Sequence, residues 1–380
     1  MTTCENMAAM TDAPAPVDQS VLDDLHRRLV GFRPVVLPQG VGWDRGTNPE
    51  YLADVVAYWA DSYDWREHEG RIRALGWVRT TAGGFAARSI HQRAKDPTAP
   101  AVVLLHGWPD SVLRFERVLP LLTDLHVVVP SLPGYPFAEP LTTTGMSTTA
   151  MAEVVAGVMA ELGYQRYVVS GGDIGSGVAE ALAAAHPDRV AALHFTDVPF
   201  GHLAAIPVDD LSEEEKTYRD AGQQWQRTEG GYLLEQATKP HTLAVGLGDS
   251  PAGLAAWIME KLRSWSDCGG DVESVFPRED LLTWITAYWV TGTIGTSFSP
   301  YVERRKRVGR LDVPTAVSLF PREPLCAPRS YAERFFDVRF WDEQPDGGHF
   351  AAWERPDGFV TGLRAAVAAR HADDHEAPVT

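Results

Sequence analysis

The chain has 380 residues, 44% hydrophobic and 22% charged, with a formal net charge of −17. That balance suits a large buried core with a soluble, acidic surface and argues against a nucleic-acid partner, since phosphate binding needs a concentrated basic surface. Cys4, Cys268 and Cys326 lie far apart, with no CxxC or Cys/His spacing. This argues against a zinc site or a disulfide framework and implies free thiols in a reducing compartment.

In chain order, residues 1–18 are small, polar and Pro-containing, as is the tail 371–380 (HADDHEAPVT), and both ends are expected to be disordered. The N-terminus lacks a basic region followed by an apolar run, and no stretch reaches the ~18 uninterrupted apolar residues of a membrane span. A cytoplasmic protein without membrane contact is expected, with a homodimer left open. Residues 19–95 form an N-terminal extension with a helix at VLDDLHRRLVGF, an aromatic helical stretch at NPEYLADVVAYWADSYDW, and a strand pair turning at Gly83-Gly84.

From Ala101 a strand-then-helix alternation begins: AVVLLH, LRFERVLPLL, HVVVPSL, MAEVVAGVMAELG, YVVSG, a helix through AEALAAAHP, and VAALHFTDV. This pattern predicts an α/β fold, a mostly parallel sheet covered by helices on both faces. Residues 201–307 are helical without strand runs and read as an inserted lid. Strands resume at VPTAVSLF (313–320) and VRFWDEQ (338–344), and a helix through PDGFVTGLRAAVAARH closes the chain, so the core comprises 96–200 and 308–370. The basic run RRKRVGR (304–310) reads as a solvated face or strand approach.

Gly171-Gly172-Asp173-Ile174-Gly175 lies between a strand and a helix, the setting of a nucleophile elbow with Asp in the usual Ser position. Asp173 is the candidate nucleophile. HGWPDS (106–111) follows the strand AVVLL, where the backbone N–H of Trp108 can serve an oxyanion hole together with that of Ile174. Pro109 can give the Trp108 amide an unusual aim, because X–Pro bonds tolerate the cis form. His106 reads as a hydrogen-bonded structural histidine. The base is placed at His349, in the loop between the last strand and the last helix. Glu323, just after VPTAVSL, is preferred as its acid over Asp337, Asp342 and Asp346 because it follows a strand at the active edge of the sheet. An ordinary serine esterase is excluded, since no Ser occupies the elbow.

From about residue 20 to 368 the chain resembles the microsomal-type epoxide hydrolases. The likeness rests on FRPVVLPQGVGWDRGTNPEYLADVVAYWADSYDWREHE, HGWPDS, PSLPGYPF, GGDIGS, TKP with GDSPAGLAAWIMEK, YWVTGTIGTS, FPRE and GGHFAAWERP. It implies an α/β-hydrolase fold and conversion of a small hydrophobic epoxide to a vicinal diol, without cofactor or metal. Asp173 would be the nucleophile, Glu323 and His349 the charge relay, and Tyr232 and Tyr301 the ring-opening donors; the tyrosine roles rest on the resemblance alone. Tyr232, Tyr301, Trp108 and Ile174 would line the substrate pocket. Ile174 departs from the Trp common at that position in the family. The rival readings are a haloalkane or haloacid dehalogenase with the same Asp nucleophile, which Ile174 disfavours by removing an indole donor, and a catalytically silent ligand-binding protein. Lid tryptophans at 225, 257, 265, 284 and 289 suggest an aromatic pocket, perceived against a default of core packing, and a bulky epoxide from a bacterial biosynthetic pathway.

Overall fold

In the computed structural model, residues 12–38, 40–81, 84–303 and 308–370 are described. Cys4, Gly83, the tail and most of the basic run lie outside them. Residues 12–18, expected to be disordered, are instead tied down. The Val17 amide donates to Glu69 at 2.6 Å, and the backbone carbonyls of Asp12 and Pro14 accept from Arg88 and Arg73. These partners lie 50 or more residues away along the chain, so composition alone could not signal the anchoring.

Three helices follow: α1 (Gln19–Val30), α2 (Pro49–Asp61) and α3 (Trp65–Arg73). Asn48 caps α2 by accepting from the amides of Glu50 and Tyr51, with Pro49 at the first helical position, where its missing N–H costs nothing. The sheet is built from β1 (Trp77–Thr80), β2 (Ala87–Gln92), β3 (Ala101–Leu105), β4 (His126–Pro130), β5 (Tyr167–Gly171), β6 (Val190–Phe195), β7 (Leu311–Leu319) and β8 (Phe336–Glu343). Their spatial order is β1-β2-β4-β3-β5-β6-β7-β8. The β1–β2 and β2–β4 pairs are antiparallel and the remaining pairs parallel, as the strand–helix alternation predicts.

Every residue of β3, β4 and β5 is buried, the signature of strands covered on both faces. Each buried Val or Leu there is worth about 1.5–3 kcal/mol over an exposed one. Helix α4 (Thr148–Glu161) links β4 to β5, and α5 (Ile174–Ala185) links β5 to β6. One expected helix does not form: LRFERVLPLL breaks into short 3-10 turns at Val112–Phe115 and Leu119–Leu121. Pro120 lacks the N–H and carries the ring that stop an α-helix from continuing.

Between β6 and β7 the chain is helical: α6 (Glu213–Thr228), α7 (Gly231–Thr238), α8 (Pro240–Asp249), α9 (Pro251–Trp265), α10 (Arg278–Thr291) and a short turn at Ser299–Val302. A capping box between Ser212 and Glu215 opens α6. The N-terminal extension grips this insertion as well as the sheet. The Tyr51 hydroxyl donates to Glu273 at 2.8 Å, the Thr47 hydroxyl donates to the Ala256 carbonyl at 2.7 Å, and Tyr58 donates to Glu279. The closing helix α11 (Pro356–Ala369) packs on β7 and β6.

Candidate active site

Between β5 and α5 only Gly172 and Asp173 make the turn. Asp173 sits at φ 54° and ψ −130°, a conformation that costs a non-glycine residue about 1–3 kcal/mol and persists only where its surroundings enforce it. Crowding enforces it here. A Cβ on Gly171 would lie 2.4 Å from the Gly175 carbonyl oxygen, and one on Gly175 would lie 2.3 Å from that of Leu105. Asp173 is thereby projected from the carboxyl end of β5 at the N-terminus of α5.

The loop after β3 meets it. A Cβ on Gly107 would fall 2.3 Å from Asp173 Oδ1, so only glycine fits there. The Trp108 N–H donates to that same oxygen at 2.8 Å, and the Trp108–Pro109 peptide is cis. Burial raises the Asp173 carboxyl above the usual carboxylate range, opposed by His349 and by the amides of Trp108 and Ile174. Asp110 steadies the loop by accepting from the Gly107 amide at 2.8 Å and from Arg114 at 2.6 Å. The other end of the buried Arg114 fork donates to the His349 carbonyl. His106 has no part in this: its Nε2 accepts from the Leu132 amide at 3.1 Å, and burial lowers its imidazole to about 4.

His349 Nε2 stands 3.7 Å from Asp173 Oδ2, and its Nδ1 lies 3.0 Å from both carboxylate oxygens of Glu323. Burial alone would lower this imidazole, but Glu323 and then Asp173 outweigh it and raise it to about 9. The loops bearing the two residues are paired by the Arg322 amide donating to the Gly347 carbonyl at 3.0 Å. Competing carboxylates are engaged elsewhere: Asp337 with Arg339, Asp342 with Gln344 and Asp346 with Arg355.

The insertion closes over these groups with aromatic rings. Tyr232, from α7, stacks on Trp108 with ring centroids 5.4 Å apart and planes 9° apart, while Tyr301 meets Trp108 edge-on at 6.3 Å. The two tyrosine rings are 6.3 Å from each other. Burial, then the negative field of Asp173, pushes both phenols well above 10, so both stay protonated. The Tyr301 hydroxyl, His349 Nε2 and the indole nitrogens of Trp108 and Trp265 are buried without a partner. Buried polar atoms are normally paired, and such a concentration marks a place where a bound molecule completes the bonding.

A cavity of about 390 Å³ holds Asp173, Ile174, Glu323, His349, Tyr232 and Tyr301 in its lining. Of the lid tryptophans, Trp225 and Trp265 reach it, whereas Trp284 packs against Phe276 and Trp353. Sequence reasoning passed over Asp197, which lies in the same lining two residues beyond β6, and the Asp110–Arg114 pair. Nothing along the chain sets Asp197 apart, because its place beside Asp173 depends on β6 standing between β5 and β7. Among the described residues no group of acidic, His or Cys side chains could hold a metal ion, and no helix is long and apolar enough to cross a membrane.

The sheet order, the aspartate in the strained turn and the histidine–glutamate pair behind it place the molecule in the α/β-hydrolase class, and residues 100–248 match the family described as "alpha/beta hydrolase fold". Residues 10–115 match "Epoxide hydrolase N terminus". A protein of Stigmatella aurantiaca that carries an epoxide hydrolase name is 38% identical, over 92% of this chain and 82% of its own. Epoxide hydrolase 1 of Sus scrofa is 30% identical, over 90% and 85%. The crystal structure of juvenile hormone epoxide hydrolase from the silkworm Bombyx mori superimposes with a TM-score of 0.85 at 27% identity, covering 95% of this chain and 94% of that one. The chain belongs to the epoxide hydrolase family.

Proposed function

We propose that the chain hydrolyses a small, largely hydrophobic epoxide to a vicinal diol through an ester on Asp173. The observation that carries the reading is Asp173 itself: Oδ1 is held by the Trp108 amide at 2.8 Å and Oδ2 faces His349 Nε2 at 3.7 Å, with Glu323 behind the imidazole at 3.0 Å. The carboxylate attacks a ring carbon, the carbon–oxygen bond breaks, and the departing oxygen takes a proton from Tyr232 or Tyr301. Neutral phenols suit this task because they donate to an alkoxide without adding charge to the pocket.

His349 then takes a proton from water, whose oxygen attacks the ester carbonyl. The tetrahedral oxyanion is met by the amides of Trp108 and Ile174. Its collapse expels the diol, whose second oxygen takes the imidazolium proton; the proton left on the Asp173 carboxyl returns to the tyrosinate, and Asp173 is regenerated with one oxygen from solvent. A carboxylate serves where serine could not, because an ester has a carbonyl that water can attack and a serine ether does not. Free thiols at Cys268 and Cys326 support a reducing, cytoplasmic setting. In the test, Asp173→Asn is expected to form no diol, while His349→Gln accumulates a protein adduct of one substrate mass. A single turnover in heavy-oxygen water that labels only the diol and never the protein refutes the covalent route.

A further inference from the structure

The proposed chemistry uses Asp173, Glu323, His349, two tyrosines and two amides, and Asp197 and Tyr218 are among the polar groups of the same cavity that it leaves unemployed. Asp197 is 8% exposed, with its Oδ1 accepting the Asp173 amide at 3.1 Å. The donor nearest its Oδ2 is the Ser176 hydroxyl at 3.4 Å, which has a single hydrogen and a shorter contact, 2.6 Å, to the Asp173 carbonyl. Oδ2 is therefore left with one long, shared donor. Tyr218, on α6, is 7% exposed and lines the same cavity, and its hydroxyl has no hydrogen-bond partner among the described residues. Around them the wall is apolar, formed by Val198, Phe200, Trp225 and Leu325.

Polar groups that face a cavity with spare hydrogen-bonding capacity, set in an apolar wall, favour a ligand that bonds to them. Burial, reinforced by Glu323, raises the Asp197 carboxyl above the usual carboxylate range, so it can hold a proton and donate as well as accept. Burial raises the Tyr218 phenol too, keeping its proton in place. A hydroxyl group, donor and acceptor at once, is the complement to a carboxyl paired with a phenol. We infer that Asp197 and Tyr218 form a polar subsite that binds a hydroxyl carried by the epoxide substrate close to its ring, so that the preferred substrates are epoxy alcohols. This rests on the epoxide-hydrolase reading above and narrows its substrate class.

The test is a matched pair of epoxides, trans-3-phenylglycidol and trans-1-phenylpropylene oxide, which differ by one hydroxyl. Dissociation constants are measured with Asp173→Asn protein, where chemistry is blocked, and kcat/KM with the unaltered enzyme. The epoxy alcohol is expected to be favoured by about tenfold or more in both, the worth of one well-made hydrogen bond. Tyr218→Phe and Asp197→Asn are expected to bring that ratio towards one, with the loss falling on the alcohol. Equal binding of the pair, or losses of the same size on both substrates, overturns the inference. Preferential binding of the alcohol without diol formation from either epoxide overturns the reaction assignment and leaves the subsite standing.

Discussion

The amide of His349 donates to the backbone carbonyl of Trp265 at 2.9 Å, so the last residue of α9, in the helical insertion, holds the backbone of the proposed base. The two rings also meet edge to face at 5.1 Å, and a Cβ on Gly348 would come within 2.5 Å of the same carbonyl oxygen. The helical insertion and the sheet's loops are therefore joined at the imidazole. Disturbance of α9 should be felt first by the step that depends on the histidine.

Trp265→Ala removes a buried ring that packs on His349, Tyr232 and Trp108. A loss of about 3–5 kcal/mol in stability is expected from such a truncation. In rapid-quench experiments ester hydrolysis should slow more than ester formation. Equal slowing of both steps would separate the lid from the histidine.

The pH dependence follows from the charges around His349. Its folded value of about 9 exceeds the ordinary 6.5, so its contribution to stability is complete below about pH 6.5 and disappears as pH rises through about 9. Denaturant unfolding between pH 6 and 10 should show a decline on the order of 3 kcal/mol that His349→Gln lacks. A decline of equal size in the variant would assign it to other groups.

Ester formation cancels the charge of Asp173, one of the groups that hold the imidazolium together. The pre-formed ester should therefore hydrolyse with a midpoint below pH 9, and Glu323→Gln should lower the midpoint further because Glu323 is the largest upward influence. Single-turnover decay of the ester across pH gives the answer; a midpoint at or above 9 contradicts it.

Gly107→Ala would set a methyl group 2.3 Å from Asp173 Oδ1. The Trp108 amide must then withdraw from the carboxylate. Activity should fall by at least about a hundredfold, the usual cost of losing an oxyanion donor, with overpacking of about 1–3 kcal/mol seen in thermal unfolding.

Because both phenols lie well above 10, neither Tyr232→Phe nor Tyr301→Phe should change the shape of the kcat/KM profile below pH 10. Each should lower its height, by slowing ring opening. A variant that removes an ionisation in that range would show that a tyrosinate takes part.

The cluster of Asp173, Glu323 and His349 was legible because each follows a strand in a fixed chain order, and the glycines flanking Asp173 announce a turn too tight for side chains. The sheet was legible from β-branched runs such as AVVLL and HVVVP. The anchoring of residues 12–18 was not, because it depends on side chains reaching back from Glu69, Arg73 and Arg88. Nor was Asp197, whose importance lies in β6 standing between β5 and β7, an adjacency that emerges only when the sheet is assembled. The loss of a helix at 113–122 was signalled by Pro120, which sits among apolar residues whose spacing otherwise suits a helix.

Trp108 is fully buried and surrounded by the rings of Tyr232, Trp265, Phe298 and Tyr301. Its amide touches the proposed nucleophile and its indole stacks on a proposed proton donor, so the electric field at this chromophore should change if the carboxylate becomes an ester. The molecule thus contains its own optical probe: stopped-flow emission should follow the rise and decay of the proposed ester without any label, and a Trp108→Phe variant identifies which part of the signal is local.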